Sequence, residues 1–294
     1  MAKLKEDAIK QSDMVEFLNT ASDFSFELRV QQLLMDSGFK CSHGGNYEDP
    51  VTKKTRQFDI RAWDVSKTNS IGLAVECKNL RSSYPLLIST VPRTSNESYY
   101  CVLCSHKRGL NQRDRDPLMV AAMYPHGTSV SIDGTDSGLY PEQRPVGKSC
   151  NQVGRDSNGN FATGDAEIYE KWGQAIASAG DLVELAYAAN EKSKTKVFSS
   201  IIFPLVVVPD SRLWVAHYNE NGVLQGDPVQ TDSCSYFVNK SYECEKMTGF
   251  TYQISHIEFV TISGLKSFIT FLKTERARLF DETIIAEGLS IKAD

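Results

Sequence analysis

The apolar and polar positions of this chain fall into blocks with two different periods. Over residues 23–37, Phe24, Val30 and Leu34 recur at helical spacing from Glu27, and Gly38 supplies a stop. A helix is predicted there, with an acid on its inward stripe that needs a partner. Residues 39–42 predict a short strand running into a His43-Gly44-Gly45 loop. Residues 55–64 alternate, with Phe58, Ile60 and Ala62 on one face and Gln57, Asp59 and Arg61 on the other. The run from Ile71 is apolar until it ends abruptly in Glu76-Cys77-Lys78. There Ile71, Leu73, Val75 and Cys77 share a buried face, and Glu76 and Lys78 point the other way.

Helical spacing returns over 164–190, where Ile168, Trp172, Ala175, Ile176, Ala179, Leu182, Val183 and Ala186 make a stripe suited to packing on a sheet. Gln174 lies one position off its centre, at the flank of a site or facing solvent. Residues 197–208 are apolar on both faces, as expected of a strand central to a covered sheet. The turn Pro209-Asp210-Ser211-Arg212 predicts a hairpin into a strand over 213–218. A last strand (252–261) and a basic helix (264–280) follow. Residues 80–163 read as a large insertion, its later part (127–163) as long, turn-rich loops. With no repeat and no linker, the expectation is one α/β domain spanning 1–294.

The chemistry concentrates where the two central strands meet. If 55–64 and 71–78 form an antiparallel hairpin, the register that aligns their apolar faces also sets Asp59 opposite Glu76. Two carboxylates and Lys78 then share one patch. Hard divalent cations such as Mg2+ take a few carboxylate oxygens plus water and substrate phosphates, and the peptide carbonyl of Cys77 offers a further oxygen. The bland alternative is a solvent-facing hairpin with a cross-strand ion pair, which stabilises little.

Composition narrows the partners. A net charge of −5 excludes a globally basic nucleic-acid coat, so a nuclease or a DNA reader would need a locally basic groove. His43 and Gln174 are candidate substrate contacts, and Arg93, Arg108, Arg113, Lys148 and Arg155 candidate phosphate contacts by charge and loop context. No apolar run reaches the roughly 20 residues that cross a bilayer, and residues 1–7 lead into no signal core. Seven cysteines, an odd number, point to reduced thiols in a cytoplasm. Cys101 and Cys104, with His106 behind, have zinc-like spacing but no turn residue between them.

Glu27 on a helix, Asp59 on a strand and Glu76-Cys77-Lys78 ending the next strand resemble the PD-(D/E)XK nuclease superfamily. The resemblance covers about 23–218 and implies a restriction-endonuclease-like mixed β-sheet flanked by helices, in the order α-β-β-β-α-β. It implies Asp59 and Glu76 as metal ligands, Lys78 as the catalytic lysine and Glu27 as an additional metal or water contact. Phe58 replaces the proline that precedes the aspartate in the family, and the 80–163 insertion matches no branch. The activity implied is Mg2+-dependent hydrolysis of DNA phosphodiesters, with Mn2+ substituting, of the restriction or anti-phage defence sort. RNA is a second possible substrate, and a homodimer or a partner subunit a possible assembly. The alternative is an inactive module of the same fold that binds nucleic acid or a partner protein.

Overall fold

The computed structural model describes residues 7–20, 22–106, 128–164, 166–191, 197–243 and 251–285. Helices α1 (Gln11–Thr20) and α2 (Phe24–Asp36) lead into β1 (Lys40–Glu48), β2 (Thr55–Val65) and β3 (Asn69–Cys77), each antiparallel to the last. Next come β4 (Leu86–Pro92), β5 (Tyr99–His106), β6 (Thr128–Asp133), the one-turn helix α3 (Gly134–Ser137), β7 (Pro145–Arg155) and β8 (Phe161–Gly164). The long helix α4 (Ala166–Glu191) precedes β9 (Val197–Val208), β10 (Leu213–His217), β11 (Val229–Gln230), β12 (Ser233–Glu243) and β13 (Thr251–Thr261). Helices α5 (Ile262–Thr274) and α6 (Arg276–Leu279) complete the described chain. The strands form one mixed sheet, 13-stranded, with the main path β1-β2-β3-β9-β13-β12-β7-β4-β10-β11. β9 lies between β3 and β13, parallel to both.

Helices cover both faces of this centre, which is why its strands are apolar on both sides. Ile71, Leu73, Val75 and Cys77 of β3, with Ile201, Phe203, Leu205 and Val207 of β9, pack into one core with Phe26, Val30 and Leu34 of α2 and Leu265, Ile269 and Leu272 of α5. The alternate residues, Ala74 of β3 and Ile202, Val206 and Val208 of β9, pack into a second core with Ile168, Ala175, Ala179, Leu182 and Val183 of α4. Each large apolar side chain so buried contributes about 1.5–3 kcal/mol.

Several expectations change. In α2 the inward aromatic is Phe26, while Phe24 is 56% exposed. Phe58 leaves the face of Ile60 and Ala62 and packs with Tyr47 and Ala177. His43 and Gly45 lie within β1, paired with Ile60 and Phe58, rather than in a loop. Of the insertion, 86–106 hold β4 and β5, and 128–164, expected as loops, hold β6 to β8, all paired into the main sheet. Their Gly, Asp and Ser clusters make tight turns between strands, and sheet pairing overrides their weak local periodicity. The turn after Pro209 forms, with Arg212 N donating to Pro209 O, but β10 does not return along β9. One edge of β9 is taken by β3 and the other by β5 and β13, so β10 pairs with β4 and β11 instead.

Candidate active site

The β2–β3 ladder pairs Ile60 with Val75, and one further step of that register sets Asp59 beside Glu76. The pair is tied through the backbone. Cys77 N donates to Asp59 Oδ2 at 2.8 Å, and Asp59 N donates to Glu76 Oε1 at 3.4 Å. The cation on the carboxylates comes from α4: Lys171 Nζ lies 2.6 Å from Asp59 Oδ2 and 3.2 Å from Glu76 Oε2.

Arg61 locks α4 in the rotation that aims Lys171 at the strands. Its guanidinium donates to Ser178 Oγ and Asp181 Oδ2 of α4 and rests on the rings of Phe58 and Tyr47, 4.2 and 4.9 Å from their centroids. Tyr47 Oη adds a hydrogen bond to the carbonyl of Gln174. A cavity of about 570 Å3 opens in front of Asp59 and Lys171, its wall including Thr55, Gln57, Lys78 and Gln174, with Glu76 buried behind them.

Glu76 is fully buried. Burial first, and the Asp59 charge second, push its carboxyl up to about 8, even though Lys171 pulls it down. Burial works against the Lys171 ammonium, but Glu76 and Asp59 outweigh it and leave the lysine above its usual value. The site is thus a half-sealed pair of acids that demands a cation.

The remaining expected residues are dispersed. Lys78 borders the same cavity, but its ammonium reaches Asp23 Oδ2 at 3.4 Å and its amide donates to Val207 O. Glu27 pairs with His43 at 2.9 Å, on the α2 side of β1. Among the described residues no cluster of three or more His, Cys, Asp or Glu is placed to hold one metal ion, so Glu27 does not join Asp59 and Glu76. The Cys77 side chain is in the core, and it is the Cys77 amide that touches Asp59. Gln174 lies on the cavity wall. Arg93 is not at the site: it is 2% exposed, donates to Pro141 O and packs over Tyr140, which leaves no guanidinium surface for a phosphate. Lys148 pairs with Glu97, Arg155 packs on Phe161, and Arg108 and Arg113 lie outside the described residues. Cys101 and Cys104 join different cores on opposite faces of the sheet, so they cannot share a zinc ion.

Two residues of the site escaped the sequence reading. Lys171 sits three residues after Ile168 and four before Ala175, which puts a lysine on the inward stripe of α4. Such a lysine requires an acid, and that was the available signal. Asp23, the N-cap residue of α2, makes no cap bond to its own helix; its carboxylate accepts from Asn79 N at 2.7 Å and faces Lys78. Comparison of the chain with protein-family models, curated proteins and solved structures yields no match.

Proposed function

We propose that this chain is a Mg2+-dependent nuclease that hydrolyses DNA phosphodiesters, with Asp59 and Glu76 as the metal ligands. The observation that carries the proposal is the convergence of these two carboxylates on one ammonium at the wall of an open polar cavity. Where two acids already hold a lysine cation, a divalent cation meets the same attraction. The donors fit Mg2+, which accepts one or two carboxylates and takes its other oxygens from water and phosphate. When bound, such an ion supplies a water of lowered pKa and offsets charge on the phosphorus centre.

The chain's own residues do the rest. Asp59 is oriented by the Cys77 amide, so its oxygens keep a constant aim. Glu76 lies against the Lys171 ammonium, and a cation beside it would favour its carboxylate form. Lys171 and Lys78, both on the cavity wall, bring positive charge to the scissile phosphate. The succession α2, β1, β2, β3, α4, β9, with β1 to β3 antiparallel and β9 parallel to β3, supports a restriction-endonuclease-like core. A role in restriction or anti-phage defence, in a cytoplasm, is the setting we propose for it. The structure has no helix, among the described residues, long and apolar enough to cross a membrane.

A second reading follows from Lys171 itself: a lysine seated permanently on both acids describes an inactive module that binds nucleic acid without cutting it. Supercoiled plasmid incubated with the protein and Mg2+ separates the two. Cleavage is expected, with Asp59→Asn and Glu76→Gln each slowing it by roughly a hundredfold or more. No cleavage of DNA or RNA in Mg2+ or Mn2+, together with no Mn2+ binding by titration, selects the inactive module.

A further inference from the structure

A second cavity, of about 720 Å3, adjoins the carboxylate site and shares Arg56, Glu170 and Gln174 with its wall. Its character differs. Tyr169, Trp172, Ile176, Val238 and Tyr242 line it, with Lys240 at the side. The Tyr169 and Trp172 rings lie 5.2 Å apart and 28° from parallel, and Tyr169 is 43% exposed. A half-exposed tyrosine backed by a tryptophan is a stacking platform with one face open. Trp172 is itself held from behind by the Tyr236 ring, 4.8 Å away and tilted 61°, which fixes the platform.

Charge distinguishes which part of a nucleotide fits here. Asp49 and Glu170 stand on this wall against Arg56 and Lys240, and Asp49 holds Arg56 Nε at 2.6 Å. No cationic excess remains for a phosphate, whereas a neutral flat ring meets aromatic and apolar surface. The volume is that of an ordinary small-molecule site.

Resting on the nuclease reading of the neighbouring carboxylates, we infer that this cavity takes an unpaired nucleobase of the DNA strand whose phosphate faces Asp59 and Glu76. A base stacked inside a duplex cannot enter a side cavity; only a single-stranded or extruded nucleotide can. The preferred substrate is therefore single-stranded DNA or DNA with an unpaired base, and Tyr169 is the specificity-determining contact.

The test is fluorescence anisotropy with a labelled single-stranded oligonucleotide in chelator, so that binding is read without cleavage. Tyr169→Ala should weaken binding about tenfold, in the range of one stacked base, and Tyr169→Phe should restore it. On an oligonucleotide carrying abasic residues throughout, wild type and Tyr169→Ala should bind alike. Equal affinity of wild type and Tyr169→Ala for the base-bearing strand overturns the inference. So does equal loss on the abasic strand, or no binding by wild type. Because Tyr169 is half-exposed, an unchanged thermal melt is expected of the variants. Plasmid cleavage, measured separately, reports on the carboxylates: base-dependent binding without cleavage sinks the nuclease reading and leaves the subsite standing, and cleavage without base dependence does the reverse.

Discussion

Two glutamates are buried in the same sheet, and their surroundings differ in kind. Glu258, on β13, is 4% exposed and accepts from Tyr140 Oη at 2.8 Å and from Ser235 Oγ at 2.9 Å. Its neighbours are closed over it: the His256 ring stacks on Tyr140 at 3.8 Å and the Arg93 guanidinium lies on the same tyrosine. Glu76, on β3, has another carboxylate and an ammonium beside it, and these two neighbours line an open cavity. Burial raises the carboxyl of both. At Glu258 two hydroxyls hydrogen-bond the acid and the Arg93 charge acts on it from nearby, with no second acid among the causes of its shift. At Glu76 a like charge is held close and the balance depends on a cation, an arrangement that serves stability poorly and ion binding well. Burial alone therefore does not separate the two acids; the like charge of Asp59 beside Glu76 does.

Removing the partner gives the largest effect. Lys171→Met leaves Asp59 and the buried Glu76 without their cation, and we expect a loss of about 3 kcal/mol in a urea titration without metal. Adding Glu76→Gln should recover much of it, as should Mg2+. If Lys171→Met is as stable as wild type in chelator, the two glutamates are alike after all. Titration of the acids comes next. Both bind a proton more tightly folded than unfolded, so their contribution is complete below the ordinary carboxyl value near 4.5 and declines as pH rises, through about 8 for Glu76. The melting temperature of metal-free protein should accordingly fall between pH 5 and about 8, less steeply in Glu76→Gln, and saturating Mg2+ should flatten the Glu76 share only. A slope that Glu76→Gln leaves untouched would assign it to Glu258. The smallest effect is expected from Tyr140→Phe, which withdraws one hydroxyl from Glu258: roughly 1–2 kcal/mol of stability by thermal denaturation, with plasmid cleavage unchanged. A cleavage defect there would tie the sealed cluster to the proposed active site.

How far the site was legible varies residue by residue. The Asp59–Glu76 juxtaposition followed from face parity and register, because a strand has a period of two and a one-residue slip would expose the whole apolar face of β3. The pairing of Lys78 with the acids did not follow. β3 ends at Cys77, and beyond a strand's last residue alternation no longer dictates direction, so Lys78 turns to Asp23. Glu27 was expected to need a partner and has one, but it is His43, brought alongside by β1.

What the sequence by itself determined is the periodicity: helix α2, the apolar strands β3 and β9, the stripe of α4, and two acids on one face of adjacent strands. These depend on neighbours a few positions away, where side-chain direction is set by backbone geometry. Only the tertiary structure decided which cation meets those acids, where β10 pairs, and that 128–164 joins the sheet. Such choices depend on which edges are already occupied and on the rotation at which Arg61 seats α4, quantities distributed over residues more than 100 positions apart in the chain.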